Sequence, residues 1–177
     1  MSDLVRNTIR FILFVFLQVY ILNKMPLLHE LITPYLYFLY ILWLPFYIKR
    51  GWLLILGFFL GLSIDYYSIT PGLHAAACVL IAYLRPFIIH LLSPKEAAEY
   101  SYKEPSPKAM GWTSYLLYAL ILSFCHNFYL LFLAWLSFGS FIVFLMKIFV
   151  TTAISLLMII IAELIFPRKL RYRTNTV

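Results

Sequence analysis

Gly57-Phe58-Phe59-Leu60-Gly61-Leu62-Ser63-Ile64-Asp65-Tyr66-Tyr67-Ser68-Ile69-Thr70-Pro71-Gly72-Leu73-His74 is the stretch whose reading decides the fold. Two glycines four apart lie on one helical face and let a neighbouring backbone come close, which places this helix centrally in a bundle. Asp65 follows one turn beyond Gly61 on the same face, and Pro71-Gly72 supplies turn chemistry before apolar sequence resumes at Leu73. That second run, about 73–92, has the roughly 20 residues a helix needs to cross about 30 Å of hydrocarbon. The stretch is thus the tip of a hairpin between two membrane helices.

Working outward, 64% of the 177 residues are apolar, 19% aromatic and only 12% charged, where soluble domains carry about 25% charged residues. So little polar material cannot cover a water-soluble globule, and lipid must solvate much of the outer face. Polar or helix-breaking residues cut the chain into six apolar pieces, about 8–22, 34–48, 52–64, 73–92, 112–136 and 140–166. The expectation is an all-α bundle of six transmembrane helices forming one membrane domain over 1–177, with a polar connector at 93–109 and a basic tail at 167–177. Strand-period alternation is absent, which excludes a membrane β-barrel.

Charge predicts orientation, because cytoplasmic flanks are enriched in Lys and Arg. With the N-terminus inside, the inner flanks hold Arg6, Arg10, Lys49, Arg50, Lys95, Lys103, Lys108, Arg168, Lys169, Arg171 and Arg173, and the outer loops hold Lys24. Both termini are therefore expected in the cytoplasm. The net charge of +7 is this topology signal, sits against anionic lipid and needs no nucleic acid to explain it. Trp43, Trp52, Trp112 and Trp135 fall near the expected helix ends, where indole rings settle at headgroup level. The first run lacks the small residues of a signal-peptide cleavage site, so it is expected to stay attached as a helix. Cys78 and Cys125 lie in apolar runs and suggest neither a disulfide nor a metal site.

Polar residues at membrane depth are the candidates for chemistry. Asp65 either caps the turn into the next helix or contacts a ligand or partner, and His74 enters that helix as a hydrogen-bonding group. Arg85 either snorkels to the headgroups or pairs inside the bundle, at a site where Pro86 removes a backbone hydrogen bond. His126, Asn127 and Lys147 share a similar depth. They either line one buried polar pocket, for a lipid or small ligand, or bond between helices while Lys147 snorkels. Glu163 falls near the inner end of its helix, within reach of Arg168 or Lys169. Phosphate-loop, HExxH, GxSxG and paired-cysteine metal motifs are missing, so no catalytic centre, metal or cofactor is expected.

The pattern Gly57-x3-Gly61-x3-Asp65-x5-Pro71-Gly72-Leu73-His74-Ala75, followed by Ala82-Tyr83-Leu84-Arg85-Pro86, resembles the signature stretch of the bacterial rod-shape-determining protein family MreD. Beyond about 57–92 the likeness is one of hydropathy. The resemblance implies a non-catalytic inner-membrane scaffold of the cell-elongation complex for peptidoglycan, beside the single-span protein MreC, MreB filaments and wall synthases. It also implies a fold like the six-helix substrate-binding subunits of energy-coupling-factor vitamin transporters, which is the alternative function. On this reading Gly57, Gly61, Asp65, Pro71, Gly72, His74, Arg85 and Pro86 shape the packing or the partner-facing surface.

Overall fold

A computed structural model describes residues 3–24, 34–92, 104–136 and 140–166. Those residues are all-α, and five helices are long and apolar enough to cross a membrane: Leu4–Lys24, Arg50–Ser68, Leu73–Leu92, Trp112–Trp135 and Phe141–Ile165. The chain is a multi-pass membrane protein. Its helices are α1 (Asp3–Phe16), α2 (Leu39–Trp43), α3 (Arg50–Ser68), α4 (Leu73–Leu92), α5 (Pro107–Met110), α6 (Trp112–Trp135) and α7 (Phe141–Ile165). After Phe16, α1 continues through one wide i→i+5 turn, Leu17–Ile21, and one tight turn, Leu22–Lys24. Helix α3 packs chiefly on α4, α4 on α6, and α6 on α7. Outward faces are apolar, with Leu4, Ile12 and Phe16 of α1 and Ile142, Phe149 and Leu157 of α7 all exposed, as lipid-facing residues must be.

The second expected helix, 34–48, is corrected: only the five residues of α2 are helical there. Leu44 sits at φ −59°, ψ 147°, and the cause is Pro45, which clashes with a helical residue before it and offers no N–H. The segment nevertheless runs the length of the bundle. Pro34 lies beside Gln18 near the far end of α1, Trp43 beside Phe14 and Arg10 nearer its start, and Arg50 then opens α3. Residues 36–44 are all buried, so irregular backbone lies at membrane depth enclosed by protein.

Two further expectations change. Helix α3 is longer than 52–64, which places Asp65 inside its last turn. Trp43 is a core residue, edge-on to Phe14 with ring centres 5.5 Å apart, whereas Trp52 and Trp112 are exposed near helix starts. Of the connector 93–109, residues 93–103 lie outside the described set, as does the tail 167–177. The described end of the connector folds back: Glu104 bonds to Arg6 and to Arg10, the latter at 3.0 Å, and Ala109 and Met110 are buried.

Candidate functional site

The glycine face of α3 meets α4 of the same chain. A Cβ added to Gly61 would stand 2.3 Å from Ala75 Cα and 2.5 Å from His74 O; one added to Gly57 would stand 3.1 Å from Ala82 Cβ and from Cys78 O. This face is filled from within, so a partner helix cannot use it. One turn further on, Asp65 Oδ1 accepts from His74 N and Oδ2 from Ala75 N, both at 2.9 Å, while Thr70 Oγ1 donates to Oδ1 at 3.0 Å. A carboxylate therefore caps the opening of α4, whose first amides lack helical partners and whose dipole favours negative charge. Between them, Thr70-Pro71-Gly72-Leu73 closes with Leu73 N bonded to Thr70 O at 3.3 Å, and Gly72 has φ +83°. Proline then glycine at positive φ is the type II pattern. Of the two readings of Asp65, the cap is what these bonds describe.

The broken segment 34–49 leaves backbone groups unpaired, and buried polar side chains satisfy them. Gln18, projected inward from the wide turn of α1, accepts from Leu36 N at 2.9 Å and from Tyr37 N at 3.4 Å, and donates to Pro34 O at 3.0 Å. Tyr118 donates to Leu42 O at 3.0 Å, and Arg85 donates to Leu44 O and, at 3.0 Å, to Tyr118 Oη. Arg85 is 2% exposed, so it is held inside rather than snorkelling. Pro86 lies within α4 without ending it. Lower in the same seam, Trp43 Nε1 donates to Glu163 Oε1 at 2.7 Å, and Tyr115 Oη also donates to Glu163. The expected partners of Glu163, Arg168 and Lys169, lie outside the described residues.

At the Asp65 end, Tyr37 Oη lies 2.7 Å from His74 Nδ1 and 2.8 Å from His126 Nε2. His126 Nδ1 is 3.1 Å from Asn127 Oδ1, and Asn127 Nδ2 donates to Thr152 Oγ1 at 3.3 Å. His126 and Asn127 of α6 thus come together with His74 of α4, and Thr152 extends the row to α7. Lys147, half-buried, stands apart: five residues before Thr152 is about 140° round the helix. Of the two readings of this level, bonding between helices is what His126 and Asn127 show, with Lys147 outside that row.

Gln18, Tyr37, Tyr115 and Tyr118 carry no sequence signal of their own, and Trp43 reads from sequence only as an indole at headgroup level. The available signal was Pro45 inside an apolar run: a break at membrane depth demands polar side chains nearby to satisfy it. Comparison with protein-family models, with curated proteins and with solved structures gives no match.

Proposed function

We propose that the chain is a non-catalytic scaffold of the bacterial cell-elongation complex in the inner membrane, with both termini cytoplasmic. It holds the single-span protein MreC and, through it, MreB filaments and wall synthases. The observation that carries this reading is the stretch from Gly57 to Pro86, whose motif residues resemble those of the MreD family. Those residues act together: Gly57 and Gly61 seat α3 on α4, Asp65 caps α4, Gly72 turns the chain, and Arg85 anchors the broken segment. The polar atoms of Asp65 and Arg85 are engaged in internal positioning, which suits a rigid platform better than a reacting centre. The basic residues near the N-terminal end of the bundle, Arg6, Arg10, Lys49, Arg50 and Lys108, support the cytoplasmic assignment of that end.

Since α4 fills the glycine face, a partner helix would lie against an outward apolar face of the bundle. Mild extraction of the C-terminally tagged chain from its native membrane, with mass spectrometry of what co-purifies, tests the proposal. Recovery of a single-span elongation protein and wall synthases supports it. Recovery of transporter ATPases in their place would move the chain to the vitamin-carrier class.

A further inference from the structure

The row His74, Tyr37, His126, Asn127, Thr152 has a direction. Asn127 turns its carbonyl oxygen to His126 Nδ1 and its amide nitrogen to Thr152, so His126 Nδ1 must carry a hydrogen to donate. A neutral imidazole has one N–H, which leaves His126 Nε2 an acceptor. Tyr37 Oη therefore donates to His126 Nε2, and its lone pair accepts from His74 Nδ1–H. With Asn127 so oriented, both imidazoles hold their hydrogen on Nδ1. His74 Nε2 is then the one ring nitrogen of the row with an open lone pair, and it bonds to no described residue.

Burial agrees with this asymmetry: His74 keeps 5% of its surface exposed, while Tyr37 and His126 keep none. The charged and titratable neighbours are unevenly placed too. The Asp65 carboxylate of α3 holds the backbone N–H groups of His74 and Ala75. Cys78 of α4 lies against Tyr37, Tyr35 lies edge-on to both imidazoles with ring centres 5.7 and 6.3 Å away, and α7 adds neutral Thr152 to the row.

We propose that the chain binds a single proton at His74 Nε2, from the aqueous face at the Asp65 end, with Asp65 as countercharge and His126 kept neutral by its complete burial, with Tyr37 donating to its Nε2. A proton from water forms the Nε2–H bond on His74 and breaks no bond within the row, because Nδ1–H already points at Tyr37. Protonating His126 would require Tyr37 to withdraw its O–H, and would carry the charge away from Asp65. The proposal stands independently of the scaffold reading.

The test is 15N NMR of the full chain in lipid bilayers with labelled histidine and His29→Gln and His90→Gln, so that two imidazoles remain. Spectra run from pH about 7.5 down to about 3, well past the ordinary histidine value. The expected result is Nδ1–H on both rings at the upper end, then a second proton on His74 alone. In Tyr37→Phe, His126 Nε2 loses its donor and its 15N shift changes, while complete burial still disfavours a charge on that ring. Nε2–H on both rings near neutrality, His126 titrating with or before His74 in the parent chain, or no proton gained by His74 over the range would each overturn the proposal.

Discussion

Replacing Gly61 by alanine should be far more costly than the same change at Gly57, although both glycines lie on one face of α3. At Gly61 the new methyl would stand 2.3 Å from Ala75 Cα and 2.5 Å from Ala75 N and His74 O, all of it backbone. Ordinary carbon contacts lie at about 3.5–4.0 Å, so the two helices must part by about 1 Å or more there. Parting them draws His74 N and Ala75 N away from Asp65, two bonds now 2.9 Å long. Hydrogen bonds to a charged group contribute about 1.5–3 kcal/mol each, and overpacking costs about 1–3 kcal/mol. Against this, alanine gains up to about 1 kcal/mol in helix propensity. The net expectation is a loss of at least about 3 kcal/mol. At Gly57 the contacts are 3.1 Å, a shift of a few tenths of an ångström suffices, and the propensity gain brings the change to within about 1 kcal/mol of neutral. Equilibrium unfolding of the full chain in mixed micelles, followed by tryptophan fluorescence, measures both. Equal effects, or a Gly57 variant weaker than the Gly61 variant, would refute the close approach at Ala75.

Arg85→Met keeps most of the side-chain volume but leaves Leu44 O without its donor, and an unsatisfied buried group costs about 1–3 kcal/mol; the same unfolding assay should show that loss. Gln18→Leu removes the acceptor of Leu36 N and Tyr37 N together with the donor to Pro34 O, so it should destabilise more than Arg85→Met, by midpoint comparison. Ile69 is exposed and left-handed at φ 56°, a conformation that costs a β-branched residue about 1–2 kcal/mol; Ile69→Gly should raise the unfolding free energy by about 1 kcal/mol, seen as a higher midpoint. Glu104→Gln removes the charge from a carboxylate whose side chain is only 10% exposed and that pairs with Arg6 and Arg10, so it should cost about 1–3 kcal/mol in the same assay, with little dependence on added salt.

Much of this architecture is legible in hydropathy alone. The hairpin tip could be read because its signals are local: the Gly57 and Gly61 spacing, a carboxylate one turn on, and Pro71-Gly72 before the next run. Residues 34–48 misled because their composition matches a membrane helix, and hydropathy is blind to where a backbone breaks. Pro45 carried the missing information, but a proline within an apolar run also occurs in an unbroken helix, as Pro86 does in α4. The polar row was half legible. His126 and Asn127 stood out as polar residues at depth, whereas Tyr37 and Tyr118 resemble ordinary aromatic core until a partner is seen across the bundle. Lys147 was grouped with them by depth, and depth says nothing about which way round the helix a side chain points.

The most direct test of the account is the backbone conformation of the buried segment, read from 13C chemical shifts of the labelled full chain in lipid bilayers. The structure requires helical shifts over Leu39–Trp43 flanked by extended values at Leu44 and Lys49, whose ψ angles are 147° and 143°. Helical shifts running unbroken from 34 to 48 would contradict it, and would remove the reason for Gln18, Arg85 and Tyr118 to lie where they do.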